Sequence, residues 1–363
     1  MAVAAPIGHH RSFLCAPQPG RLVRKIGNSM RHNVVTIDFS ELQNEAVNFS
    51  EELEAGFGAQ GLGIIAVSNV PGFTEMRSNL LNLAQSLSSL PENVLKELED
   101  PASRFSFGWS HGKEFLESGQ PDELKASFYA NPIVDRPTDD PALIERYPSY
   151  CRANLWPGKE LPDLESSFKK LGSLIVKVGL QLAAHCDKHV SRKGGDARLT
   201  DMLKNSLCHK GRLLHYYPSK CSGTKSSSWC GWHVDHGSLT GLTCAMYTRE
   251  GREIDCPDSE AGLYVRTRSG AIVKATFGKD DIAYQVGEAT ELMSNGAFHA
   301  TPHCVRTAQD DPLVERNTFA VFMQPHWDEE LVSRDRKTVS FGDFSESLLS
   351  TYYGTASSSR VTL

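Results

Sequence analysis

Short β-rich runs split by Gly, Pro, Asp and Ser after residue 200, a long apolar stripe beginning at Leu164, and helix signals near both ends predict an α+β protein. The runs RLLHYY, SLTGLTCAMY, GLYVRT, AIVKATF, IAYQVG and TFAVFM have the length and spacing of a double-sheet jelly roll. Such a double-stranded β-helix encloses a cavity that can hold a ligand and a metal. Flanking N-terminal helices and a C-terminal helical segment complete the expected fold. The segments are 1–33, a disordered or targeting tail; 34–200, a mainly helical region; 201–330, the β-helix core; and 331–363, a C-terminal helix and tail.

Taken in order, Val34 to Phe39 alternates as a short strand, and Ser40 with Gln43 forms a capping box that opens a helix to about Ala55. Gly56, Gly58 and Gly61 have the GxGxxG spacing of a dinucleotide site, but that fingerprint must follow a strand and open a helix. Here a helix precedes and the β-like run GIIAVSNV follows, so the glycines turn the chain instead. A second helix covers Thr74 to Leu90, and the stretch from Asp100 to Asp140 lacks periodicity and reads as loops. From Leu164, the positions Phe168, Leu171, Ile175, Val178 and Leu182 step by four and three, the stripe of a long packed helix that starts near Pro162 and Asp163. His185 and His189, at i and i+4 near its end, read as C-terminal helix histidines rather than as a metal pair, because no further ligand adjoins them.

Composition narrows the function classes. With a formal net charge of -6 and a pI near 6.1, the chain lacks the basic field that holds nucleic acid or an anionic membrane surface. No run approaches the roughly 20 apolar residues that cross a bilayer. A small-molecule partner and a monomer are expected. Nine cysteines without a CxxC pair do not resemble a secreted disulfide framework, which points to a reducing compartment, the cytoplasm. The first 37 residues carry five basic residues and no acid, so a plastid or mitochondrial transit segment is the alternative.

The chemistry concentrates in WHVDH at 232–236. His233 and Asp235 are i and i+2, so on a strand both side chains leave one face and can clasp one ion. His303, within NGAFHATPHCVR, would supply a third ligand from a distant strand. Two imidazoles and one carboxylate on one side of an octahedral metal leave open positions, the facial triad of non-heme Fe(II) oxygenases. An HxD pair followed by a later His is weak by itself; its neighbours decide the matter.

HYYP at 215–218, WHVDHGSLT at 232–240, MSNGAFHATPHCV at 293–305 and RNT at 316–318 occur in an order that resembles the isopenicillin N synthase-like Fe(II)/2-oxoglutarate dioxygenases. GLGIIAVSNV, KASFYANP and NLWPGKELP are similar to upstream segments of the same family, so the resemblance spans nearly the whole chain. It implies that His233, Asp235 and His303 hold Fe(II) and are the catalytic centre. It further implies that Arg316 pairs with the distal carboxylate of 2-oxoglutarate, and that Thr318 and Tyr217 add hydroxyl hydrogen bonds. The implied reaction takes O2 and 2-oxoglutarate, with ascorbate as an accessory reductant, and oxidises a small molecule, most simply by hydroxylation, with release of succinate and CO2. Residues 201–330 would be the oxygenase domain and 34–200 the substrate side.

Arg also suits a carboxylate end through its permanent planar fork, and Thr318, two residues on, shares its strand face. The chain departs from the family in having Arg-x-Thr where Arg-x-Ser is usual and Cys304 where an Arg commonly follows the last metal His. The 68 positions from Asp235 to His303 imply a longer hairpin in CAMYTREGREIDCPDSE. His236, His299, Trp109 and Phe107 are pocket candidates by position. Three other readings are an oxidase on this scaffold without 2-oxoglutarate, a non-catalytic jelly-roll binding protein, and a Zn hydrolase with a bound water.

Overall fold

A computed structural model describes residues 31–114, 120–196, 198–218, 228–306, 313–332 and 338–353. The helices are α1 (Phe39–Leu42), α2 (Ser50–Phe57), α3 (Phe73–Ser88), α4 (Glu92–Glu97), α5 (Pro141–Arg146), α6 (Pro148–Cys151), α7 (Asp163–Arg192), α8 (Leu199–Lys204), α9 (Glu288–Met293) and α10 (Phe341–Tyr353). The first strands are β1 (Arg31–Asn33), β2 (Val35–Asp38), β3 (Ile64–Ser68), β4 (Gly108–His111) and β5 (Lys125–Ala130). The later ones are β6 (Lys210–Tyr216), β7 (Ser228–His233), β8 (Leu239–Thr243), β9 (Met246–Arg249), β10 (Arg252–Ile254), β11 (Gly262–Arg266), β12 (Ile272–Thr276), β13 (Ile282–Val286), β14 (His303–Arg306), β15 (Val314–Met323), β16 (Glu330–Val332) and β17 (Thr338–Ser340).

Two sheets make the jelly roll. The larger runs β2-β3-β13-β8-β15-β6-β5-β4, with β9 on β15 and β10 on β9; the smaller runs β1-β12-β11-β14-β7. The region 34–200 thus contributes four strands to the larger sheet besides its helices. Residues 1–30 of the expected tail and the Ser-rich end lie outside the described residues, while Arg31–Asn33 pairs in parallel with β12.

The outer face of the larger sheet packs on α7, whose predicted stripe is buried from Leu164 to Leu182. Phe168 meets Phe319 of β15 edge-on at 4.8 Å, and Phe128 of β5 at 6.0 Å. Helix and sheet approach so closely that a Cβ on Gly241 of β8 would stand 2.2 Å from Ile175 Cγ2, so only glycine fits there. Each buried ring of this layer contributes apolar burial of about 2–3 kcal/mol.

Local expectations hold at several places and fail at others. The long hairpin is β9–β10, closed by Glu250 and Gly251, both at positive φ (51° and 74°), as a two-residue primed turn requires. The single helix expected from Ser40 to Ala55 is instead α1 and α2. Asp38, not Ser40, caps α1 by accepting from the Ser40 amide at 2.8 Å, and the Asn44 and Asn48 side chains take the Ala46 and Ser50 amides, which breaks the helix between them. The expected loops between 100 and 140 contain β4 and β5. β5 in fact alternates Lys125, Ser127 and Tyr129 on one face with Ala126, Phe128 and Ala130 on the other, a strand period that the loop reading passes over.

Candidate metal centre and co-substrate pocket

Register assigns each strand residue to a face of the larger sheet. Lys125, Ser127 and Tyr129 pair with Tyr216, Leu214 and Arg212, which pair in turn with Arg316, Thr318 and Ala320. Cross-strand partners share a face, and this row continues through Leu242 and Thr240 of β8 to Ala283 and Gln285 of β13. The opposite residues, such as Phe319 and Gly241, meet α7, so the row named here is the inner face.

His233 ends β7, and His303 opens β14 directly opposite it, with ring centroids 4.2 Å apart. Asp235 lies just beyond β7; its Oδ1 is 3.7 Å from His233 Nε2 and 4.0 Å from His303 Nε2. One donor atom from each residue falls within 4.8 Å of the others, and among the described residues this is the group of at least three His, Cys, Asp or Glu so placed.

The far side of each ligand is tied down. His233 Nδ1–H donates to the Gly231 carbonyl at 2.9 Å, and Thr240 donates to Asp235 Oδ2 at 2.6 Å. His303 Nδ1 lies 3.3 Å from the Thr301 carbonyl and 2.5 Å from the Gln285 amide. With Nδ1–H given to a backbone carbonyl, Gly231 for His233 and Thr301 for His303, each ring offers Nε2 to a cation that displaces any proton there. Thr240 and Gln285 belong to the inner face, so the larger sheet orients ligands borne by the smaller one. The donor set and its supports fit a hard-to-borderline divalent cation such as Fe(II).

Charge follows the same pattern. Burial opposes ionisation of Asp235, but His303 and His233 outweigh it and hold the carboxyl below its usual range. Burial likewise disfavours the His233 cation, yet Cys230, with Sγ 3.6 Å from Nδ1, and Asp235 raise its pKa to about 10. His303, desolvated and facing His233, falls to about 4.

Arg316 is buried on the inner face, its guanidinium 4.7 Å from the Tyr216 ring and hydrogen-bonded to Tyr216 and Tyr247. Thr318, two residues on, lies 3.4 Å from the Thr243 hydroxyl. The tyrosine beside Arg316 is Tyr216, not Tyr217. Tyr217 follows the parity of His215, whose ring it meets at 4.7 Å, and His215 bonds Asn317 on the outer, α3-facing side. Sequence reading does not single out Tyr216, Tyr247, Thr240 or Gln285; the register of β6 and β9 against β15, which sets Tyr216 and Tyr247 opposite Arg316, is what selects the two tyrosines.

The positional candidates fall elsewhere. Trp109 is buried in the helix-side core, and Phe107 lies under Lys210 Nζ at 4.5 Å. His236 points to the C-terminal helix, with Ser345 Oγ at 3.0 Å and the Tyr150 hydroxyl at 3.3 Å. His299 is bonded by Arg268 and stands 3.8 Å from Glu291. His185 gives Nε2–H to the Leu42 carbonyl at 2.9 Å and His189 stacks on Phe298; both are buried, which lowers their pKa, so they pack the helix end instead of serving as the exposed cations its C-terminus would favour.

No protein-family model and no curated protein matches the chain. Solved structures do. A Caulobacter crescentus protein assigned to the 2OG-Fe(II) oxygenase family superposes with a TM-score of 0.67 at 17% identity, covering 86% of this chain and 97% of its own. A full-length Neurospora crassa protein in complex with alpha-KG and thymine gives 0.63 at 19% identity, with 88% and 96% covered. JOX2, in complex with 2OG, Fe and JA, gives 0.61 at 16% identity, with 92% and 90% covered. With the two-sheet topology and flanking helices described above, the chain has the double-stranded β-helix fold of the 2OG-Fe(II) oxygenases.

Proposed function

We propose that the protein is an Fe(II)- and 2-oxoglutarate-dependent dioxygenase that hydroxylates a small molecule. One observation carries this reading: a His-Asp-His donor set converges within 4.8 Å on the same interior that the buried Arg316 faces. A Zn hydrolase has no use for that second, cationic anchor. The solved neighbours held with alpha-KG or 2OG support the same choice.

In this reading His233, Asp235 and His303 hold the iron, which when bound supplies O2 activation coupled to decarboxylation of 2-oxoglutarate. Arg316 binds the distal carboxylate of the co-substrate in a site already shaped by Tyr216 and Tyr247, and Thr318 adds a hydroxyl on the same face. Thr240 fixes the Asp235 carboxylate and Gln285 abuts the His303 ring, so both ligands stay in place while the co-substrate enters. No helix among the described residues is long and apolar enough to cross a membrane. The seven described cysteines are free thiols, which supports a reducing compartment, and we assign the protein to the cytoplasm. Incubation with Fe(II), ascorbate and 2-oxoglutarate should release succinate from wild type and not from His233→Ala; equal background in both would overturn the reading.

A further inference from the structure

A second constellation shares the inner face with Arg316. Arg212 Nη2 bonds Glu114 Oε1 at 2.6 Å, Lys125 Nζ bonds Glu114 Oε2 at 2.8 Å, and the Tyr129 hydroxyl donates to Oε1 at 3.3 Å. Ser127 Oγ accepts from Arg212 Nε and Nη2 at 3.0 and 2.8 Å, and Asp122 holds Lys125 at 3.0 Å. The cations and hydroxyls rise from β5 and β6, adjacent strands in fixed register, whereas Glu114 lies beyond the end of β4. Glu114, three residues past the end of β4, reaches back over the inward Ser110 and Ser127 pair to these cations.

Burial alone would neutralise Glu114, but Arg212 and Lys125 hold its carboxyl down at about 2. The strand-borne groups therefore stabilise a carboxylate strongly, and the chain's own carboxylate occupies them. Without Glu114, Asp122 is the one carboxylate paired with Arg212 or Lys125 among the described residues, so one ligand carboxylate can take the place of Glu114. Cys230, whose Sγ is 3.6 Å from His233 Nδ1, sits on β7 of the facing sheet.

We propose that Arg212, Lys125 and Tyr129 form a carboxylate receptor for the primary substrate, an organic monocarboxylic acid whose acid group takes the place of Glu114. That the ligand is the substrate rests on the oxygenase reading; that the receptor binds a carboxylate does not. Glu114 acts as a built-in competitor that keeps the two buried cations paired until the acid arrives. Arg212 supplies the planar fork and Lys125 the point charge.

The test uses the full chain without metal or 2-oxoglutarate, titrated calorimetrically at constant ionic strength with phenylacetate and with its uncharged near-isostere phenylacetamide. Phenylacetate should bind and the amide should not. Glu114→Gln should tighten phenylacetate binding about tenfold, and Arg212→Gln should weaken it by about tenfold or more. Arg136→Ala, at an exposed arginine paired with Asp139 outside both sites, should leave it unchanged. Equal binding of acid and amide, tightening absent from Glu114→Gln, or loss in Arg136→Ala with retention in Arg212→Gln would each overturn the proposal. Should Arg212→Gln not fold, the sign of the Glu114→Gln effect decides, because a purely structural salt bridge would not yield tighter binding when broken. Failure here leaves succinate formation intact, and failure of succinate formation leaves this binding intact, so the two readings fall separately.

Discussion

The two faces of β5, β6 and β15 are made by alternate residues of the same strands, yet they do opposite work. Outward, Phe128, Leu213, Phe319 and Val321 join one apolar core with α7. Inward, Lys125, Arg212, Arg316 and Thr318 are nearly as buried but polar, and strand register sets them across from one another. The outer face stabilises the fold by removing apolar surface from water. The inner face tolerates desolvated charge because each cation meets a carboxylate or tyrosine, and it is this face that can bind anions.

The sharpest way to break that division is to swap burdens between faces. Phe319→Ala should lose about 3–5 kcal/mol of stability in urea unfolding, while Thr318→Ala, its inward neighbour, should lose about 1 kcal/mol. Equal losses would mean that the faces are not specialised. Next, Arg316→Ala should raise the 2-oxoglutarate requirement by about thirtyfold or more, corresponding to a lost buried charge pair of roughly 2–5 kcal/mol, with little change in Fe(II) binding. An unchanged requirement removes Arg316 from the pocket. Gln285→Leu and Thr240→Val, which leave all three ligands in place, should each weaken Fe(II) binding about tenfold to a hundredfold, read by metal titration.

Acid should separate the regions more gently. His209, away from the metal ligands, is buried, accepts the Gln324 amide on Nδ1 at 3.3 Å and gives Nε2 to the Leu203 carbonyl, so burial holds it neutral with a pKa of about 4. Its folded value lies below the unfolded value of about 6.5, so the unfolded chain binds more protons between those pH values. Stability should fall as pH drops from about 6.5 to 4, and His209→Asn should flatten that slope in metal-free protein; an unchanged slope would assign the acid sensitivity elsewhere.

What could be read from sequence follows the same division. α7 was legible because one face is buried and one is wet, so its stripe has helical period. His233, Asp235, His303 and Arg316 were legible because two of them sit in a short motif and the rest follow in a fixed order. β5 was not, although KASFYA alternates, because six residues within a stretch otherwise lacking periodicity make a short signal. The choice between Tyr216 and Tyr217 depends on where β6 ends, which composition does not encode. The pairing of Glu114 with Arg212 joins positions 98 residues apart, and only the adjacency of β4, β5 and β6 brings them together.

The central claim is that iron ligands and a co-substrate anchor share one interior. It is tested most directly by loading the protein with Fe(II) and 2-oxoglutarate without oxygen, admitting O2 once, and measuring succinate per chain. The account predicts succinate approaching one per chain for wild type and background for His233→Ala and Arg316→Ala. Background succinate in wild type carrying bound Fe(II) would contradict it.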